Sequence, residues 1–465
     1  MNKNNTKIDQ LTSLRFFAAF MIVIHHSNGL FGIHYSGINL GQGVSFFFVL
    51  SGFILTYVYP NLNTWTEIKQ FLKARIARIV PAYIASFLIA IALISFPWDI
   101  KTAIAHLLMI QSWIPSSNYY FSYNAVAWSV STEFFFYLAF PLLLYKWNNT
   151  WFIKLIISGI VLIILVLISN ACQLSVYEKP GNDLTVTEHG LIYINPLSRI
   201  FEFIIGMSIA FLYKKRTIKK NYIPFLATIC EISSIILCAV FMYNTNYIVN
   251  WSRALKLGPA LDQWIVHCGS VFVFGLLIYL IAQGRGKVSK ILCNPFFVLL
   301  GEISFSMYLT HQTLLTIYRG KISYFADFPN PITFSIFISI LLSLSFLIWA
   351  CIEMPGRRYI LGYKKVTPSI IIKNAWNNNI IPSRNFLFTG FVVICSVGLL
   401  ESKIGISDSI GKKEDILPPN FNPLTYIDLN PDLEKATEKM TTIMEKTDWA
   451  KNHYLLNGKK EGRKY

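Results

Sequence analysis

The sequence predicts an all-α polytopic membrane protein, and three observations carry that prediction. Hydrophobic residues make up 54% of 465 and charged residues only 14%, the mean hydropathy is +0.48, and the basic residues fall in short clusters between long apolar runs. A soluble domain carries roughly a quarter charged residues. The same composition excludes a disordered chain and a collagen-like fibre. The seven cysteines, Cys172, Cys230, Cys238, Cys268, Cys293, Cys351 and Cys395, lie in or near apolar segments without Cys-x-x-Cys spacing, so neither a disulfide framework nor a metal site is expected. A net charge of +17 is compatible with nucleic acid, but clusters separated by apolar runs read as topology signals and no nucleic-acid partner is expected.

Crossing about 30 Å of hydrocarbon takes roughly 20 residues. Such runs occur near 11–28, 43–59, 80–97, 127–146, 151–170, 197–213, 222–243, 263–283, 295–316, 333–352 and 386–400. A further stretch, Thr102 to Pro115, is short and contains His106, which fits a re-entrant or interfacial helix. The positive-inside rule supports leaving it out of the count. With the amino terminus cytoplasmic, the clusters Lys69 to Arg78, Lys214 to Lys220, Arg285 to Lys290 and Arg357 to Lys365 then all face inward. The expected organisation is a ten-helix transmembrane domain at 1–365, a cytoplasmic linker at 366–385, an extra transmembrane helix at 386–400 and a small extracytoplasmic helical tail at 401–465. The first run is not expected to be a cleaved signal, because it carries Arg15 and ends in His25-His26 without a small-x-small site.

Ionisable residues inside spans cost a few kcal/mol unless paired or wetted, so they mark candidate sites. Arg15 and His26 are eleven residues apart, within about 20° of three full turns, which puts both on one face of the first helix roughly 16 Å apart. His25 points about 100° away from that stripe. Arg75 and Arg78 share a helical turn just before the third span, and two guanidinium forks pointing one way suit phosphate oxygens as well as they suit a topology signal. Glu133 sits about one turn into the span that begins Trp128-Ser129-Val130-Ser131-Thr132; it needs a partner, and Arg15, His26 or Arg199 is the available kind, with Ser129 on its face. Glu202 is placed to pair with Arg199, and Glu353 with Arg357. Gly43, Ser45, Ser51 and Gly52 permit close helix approach. His311, one turn after Tyr308, reads first as a satisfied intramembrane histidine.

In this order, Leu14-Arg15, His26, Phe46 to Phe53, Arg75-x-x-Arg78, Trp128 to Tyr137 with Glu133, Ser304 to His311 and Glu353-Met354-Pro355 resemble the membrane-bound acyltransferase family 3 over about residues 8 to 360. The resemblance implies a ten-helix acyltransferase-3 bundle and transfer of an acyl group, commonly acetyl, from cytoplasmic acetyl-CoA or another acyl-CoA to a hydroxyl of a surface polysaccharide, lipopolysaccharide or other exported glycan, with no metal. It implies a bacterial cytoplasmic (inner) membrane location, while the charge clusters put the amino terminus inside and helix parity then puts the tail outside. Under it, His26 is the general base or acyl carrier, Arg15 positions donor or neutralises charge, Arg75 and Arg78 contact the coenzyme A phosphates, Glu133 orients His26 or holds the acceptor, and Trp128, Ser129, Tyr308 and His311 support the site. The tail departs from family members that carry an esterase-like domain. It resembles a small repeat of surface-polysaccharide proteins, through Tyr426 to Leu433 and Trp449 to Tyr454. A glycan exporter or flippase of related architecture is the alternative function.

Overall fold

In the computed structural model the described residues are 7–34, 37–94, 98–177, 185–215, 223–325, 328–363, 423–437, 449–450, 453–454 and 463, and they form helices without strands. In chain order these are α1 (Asp9–His26), α2 (Gly43–Val58), α3 (Trp65–Leu93), α4 (Ile100–Leu107), α5 (Ser117–Tyr120), α6 (Trp128–Leu144), α7 (Trp147–Ala171), α8 (Pro196–Lys215) and α9 (Pro224–Tyr243). They continue with α10 (Thr245–Ala254), α11 (Pro259–Cys268), α12 (Val271–Ala282), α13 (Lys287–Leu292), α14 (Pro295–Gly320), α15 (Asn330–Ile348) and α16 (Met354–Leu361). The tail contributes α17 (Pro423–Asp428) and α18 (Pro431–Thr437).

All ten expected spans within the described residues are helical. Eight segments are both long and apolar enough to cross a membrane. The other two are α1 and α14, of 18 and 26 residues, which carry Arg15 and Glu302 in their interiors. The stretch from Thr102 to Pro115 holds only the eight-residue α4 and a single 3-10 turn, Gln111–Trp113. It is folded back against α3, with Tyr83 Oη donating to the His106 carbonyl at 2.7 Å and Gln111 Nε2 donating to Tyr83 Oη at 2.9 Å. The linker at 366–385 and the extra span at 386–400 lie outside the described residues.

Two boundaries differ from the sequence reading. The third helix starts at Trp65 rather than near residue 80, because Thr64 and Glu67 form a capping box that satisfies the first free amides. Arg75 and Arg78 therefore sit inside a continuous helix. The span expected at 263–283 is two helices, α11 and α12, broken at Gly269-Ser270, where the Ser270 amide donates to Gln42 Oε1 at 3.0 Å.

Small residues set the closest helix crossings. A Cβ added at Gly52 would lie 2.0 Å from the Phe203 carbonyl oxygen, and one at Gly206 would lie 2.0 Å from that of Val49, so α2 and α8 touch backbone to backbone. Gly301 stands likewise against the Thr12 carbonyl, bringing α14 against α1. Because Thr12 meets Gly301 near the start of both helices and His26 meets His311 further along, α1 and α14 run parallel. On the periphery α7 exposes Ile153, Ile157, Ile160 and Ile164, as a lipid-facing helix does.

The chain divides into two units, Met1–Ile394 and Cys395–Tyr465. In the second, Tyr426, Ile427, Leu433, Ala450 and Tyr454 form a small apolar cluster. Helix α18 opens on Pro431, the Asn430 side-chain amide donates back to the Tyr426 carbonyl at 2.7 Å and Asp432 pairs with Arg463 at 2.8 Å.

Candidate active site

A cavity of about 670 Å³ opens among α1, α2, α3, α6 and α14, with Trp349, Met354 and Arg357 closing one side. Its lining residues on α2 run from Val44 to Val58, fourteen steps of about 1.5 Å, so it extends for roughly 21 Å along the helix. Five cationic side chains face it, Lys7, Arg15, Arg75, Arg78 and Arg357, against two carboxylates, Glu133 and Glu302. Such an excess of positive charge in a low-dielectric cleft makes its electrostatic potential favourable to anions.

The partners of these groups decide which are free to bind. Arg78 is held by Glu353, whose side chain is fully buried and whose other oxygen accepts from Ser306 Oγ at 3.0 Å. The i+4 pairing of Glu353 with Arg357 expected from sequence is therefore not formed: the carboxylate turns toward α3. Glu353 ends a π-helical turn, Trp349–Glu353, that joins α15 to α16 and rotates it off the ordinary helical register. Arg75 donates to Tyr59 Oη at 3.3 Å and lies over the rings of Tyr59, Phe71 and Tyr137. Lys7 bridges Glu302 at 3.0 Å. Arg15 and Arg357 make no hydrogen bond or ion pair to the described residues, and both line the cavity.

Glu133 also faces the cavity, but its hydrogen-bond partners differ from the three candidates. Its Oε1 accepts from Ser51 Oγ at 2.9 Å and from Tyr137 Oη at 2.7 Å. Arg199 is engaged elsewhere, fully buried in an ion pair with Glu202 at 3.2 Å, the pairing its i+3 spacing suggests. Ser129 and Tyr308 line the cavity with their hydroxyls 2.7 Å apart. Trp128 does not line it; it packs behind, its ring 4.8 Å from Tyr193 and 6.5 Å from Phe48.

His26 does not line the cavity either. Its Nδ1 lies 2.8 Å from Nε2 of the fully buried His311. The Tyr308 ring, which does line the cavity, is 5.7 Å from the His311 ring and 6.0 Å from that of Phe47. The single polar stripe expected from Arg15 to His26 is thus interrupted. Arg15 opens into the cationic cavity, whereas His26 stays outside its lining, paired with His311, whose ring neighbours that of Tyr308. His25 turns away from that pair as its helical position requires, toward Gly41.

Of the candidate residues, the cavity gathers Arg15, Arg75, Arg78, Glu133, Ser129 and Tyr308. The sequence reading passed over Lys7, Ser51, Tyr59, Tyr137 and Glu302 as site residues. Glu302 carries the same signal as Glu133, a carboxylate inside an apolar run. The hydroxyls carry none, since they become visible only once the helices are packed. Among the described residues no group of three or more His, Cys, Asp or Glu side chains could hold a metal ion.

An acyltransferase MdmB from Streptomyces mycarofaciens is 34% identical over 157 residues, covering 29% of this chain and 39% of that protein. The O-acetyltransferase OatA of Staphylococcus aureus strain NCTC 8325 is 26% identical over 341 residues, covering 69% of this chain and 52% of OatA. The chain thus spans about half or less of the length of these relatives. No solved structure matches. The family model described as an acyltransferase domain matches residues 8–350, which include every cavity-lining helix from α1 to α14 and both histidines of the buried pair. On that match the chain belongs to the acyltransferase-3 family.

Proposed function

We propose that this protein is an integral membrane O-acyltransferase, an O-acetyltransferase that moves an acetyl group from coenzyme A to a hydroxyl of an exported glycan. The observation that carries the reading is the cationic cavity, above all the Arg15 and Arg357 guanidinia within it, which make no hydrogen bond or ion pair to the described residues. Coenzyme A is a polyanion on a long thin arm. Its phosphates would engage Arg75, Arg78, Arg357 and Lys7, and its pantetheine arm would run along α2 past Arg15 toward Phe47, Ser129 and Tyr308.

Chemistry then needs a base, and His26, outside the cavity lining but paired with His311 beside Tyr308, supplies it. An acceptor hydroxyl gives its proton to the imidazole as its oxygen attacks the thioester carbon. The tetrahedral oxyanion collapses, the carbon–sulfur bond breaks, and the departing thiolate takes the proton back from the imidazolium. Ester and free thiol are the only products. Arg15 offers charge stabilisation to the thioester oxygen, and the Ser129 and Tyr308 hydroxyls are further donors. Glu133, held by Ser51 and Tyr137, balances the cavity's charge near Arg15. In this reading the basic end of the cavity is cytoplasmic, in a bacterial inner membrane, the histidine pair lies toward the exterior and the glycan approaches from outside.

The test is His26→Ala with membrane insertion verified, scored as acetyl content of the surface glycan by mass spectrometry. Loss of acetylation is expected; retention removes His26 from the chemistry. Orientation is tested by impermeant thiol labelling of single introduced cysteines. Lys287→Cys should react only from inside and Lys256→Cys only from outside.

A further inference from the structure

His311 was expected to be a merely satisfied buried histidine, yet its two hydrogen bonds carry information that neither alone provides. Its Nδ1 lies 2.6 Å from the Tyr308 carbonyl oxygen. A carbonyl only accepts, so Nδ1 carries the hydrogen, and in the neutral ring Nε2 is then left with a lone pair. That Nε2 is 2.8 Å from Nδ1 of His26, so His26 must donate there, and its own lone pair is forced onto Nε2. No described residue bonds His26 Nε2. The two rings are near parallel, 12° apart with centroids at 5.1 Å, and His26 is tied to α14 a second time where Arg319 donates to its carbonyl at 3.0 Å. The charged and titratable groups facing the pair are His25 on α1, with its ring 5.3 Å from that of His26, and Arg319 and Tyr308 on α14, the Tyr308 ring 5.7 Å from that of His311.

We propose that His311 is a positioning residue which, through the Tyr308 carbonyl, locks His26 in the tautomer whose Nε2 lone pair is free to take the acceptor proton. The inference rests on reading His26 as the base. In catalytic triads a carboxylate performs this orienting role; here a peptide carbonyl does so at one remove, with a second imidazole in between. When His26 takes a proton at Nε2, the Nδ1 hydrogen can pass to His311 Nε2, spreading the positive charge over two rings while the Tyr308 carbonyl accepts from the far one. The arrangement also ties the base to the donor cavity, since the ring of the same Tyr308 lines that cavity.

The experiment uses the full chain in lipid nanodiscs with acetyl-CoA as donor and an N-acetylglucosamine trimer as acceptor probe, comparing wild type, His26→Ala, His311→Leu and His311→Gln. The first readout needs no turnover: nitrogen-15 shifts of His26 should report a pure Nδ1–H tautomer in the wild type and a mixture in His311→Leu. In turnover, His311→Leu should lose kcat by on the order of 10²- to 10⁴-fold, the range for a misdirected general base, with KM for acetyl-CoA unchanged. His311→Gln, whose side-chain oxygen can accept from His26, should recover at least about tenfold of that loss. A purely structural histidine would instead lower stability and leave the tautomer alone. An unchanged His26 tautomer in His311→Leu, or unchanged kcat, overturns the proposal. If His26→Ala is inactive while His311→Leu is not, only this inference fails; if His26→Ala turns over normally, the base reading itself fails.

Discussion

Replacing Arg15 by methionine separates a binding role from a structural one, because the two predict opposite signs. Arg15 has no hydrogen bond or ion pair to the described residues and shares the cavity with Arg78, with which it repels. Removing it deletes no interaction that holds helices together, so the melting temperature of the ligand-free protein should not fall. Acetyl-coenzyme A, whose thioester oxygen Arg15 is proposed to meet, should bind less tightly. A hydrogen bond to a charged group is worth about 1.5–3 kcal/mol, and each 1.4 kcal/mol is tenfold in affinity, so the loss should be roughly 10- to 150-fold. Arg78→Met is the counter-case. It leaves the fully buried Glu353 carboxylate without its cation, and breaking a buried pair costs about 3–5 kcal/mol. Purified protein in nanodiscs, melted with and without acetyl-coenzyme A and titrated calorimetrically at low and high salt, reads both quantities. The acetyl-coenzyme A contribution to melting should shrink in Arg15→Met. An Arg15→Met protein that melts earlier and binds acetyl-coenzyme A as tightly as wild type would refute the cavity as the donor site.

Three further outcomes are expected. Glu353→Gln should destabilise by about 3–5 kcal/mol, and the double variant Arg78→Met/Glu353→Met should recover most of that in a thermal melt, since it removes both charges rather than stranding one. Gly52→Ala places a methyl 2.0 Å from the Phe203 carbonyl oxygen, a backbone atom that cannot swing aside. Forcing α2 from α8 should cost about 1–3 kcal/mol, read as a lowered melting temperature. At the mouth of α4, outside the spans, the Thr102 amide donates to Asp99 at 2.9 Å and holds that carboxyl below its ordinary range. A depressed folded value means this stabilisation is present at neutral pH and is lost as pH falls below about 4. Hydrogen exchange at the Thr102 amide should accelerate over that interval and stay pH-insensitive in Asp99→Asn once intrinsic rates are divided out.

The ten expected spans among the described residues were legible in the sequence because apolar run length is a quantity local to the chain. The start of α3 was not, since the residues from Trp65 to Ile79 interleave Lys and Arg with apolar side chains and only the Thr64–Glu67 cap reveals that they are already helical. Faces of helices could be read as well: His25 and His26 diverge as a 100° step requires, and Arg199 pairs with Glu202 at the expected spacing. Neighbours could not be read. Glu353 finds Arg78 at a separation of 275 residues and His26 finds His311 at 285, and no periodicity specifies which distant helix lies opposite a given face. For the same reason Glu133 was expected to meet a cation and instead meets two hydroxyls, Ser51 and Tyr137.

The exclusion of His26 from the cavity lining has a consequence for the cell's energy economy if the cavity holds the acetyl donor as proposed. A thioester lying in the cavity would then be out of reach of the imidazole until an acceptor bridged the two, so idle protein would not squander donor by hydrolysis.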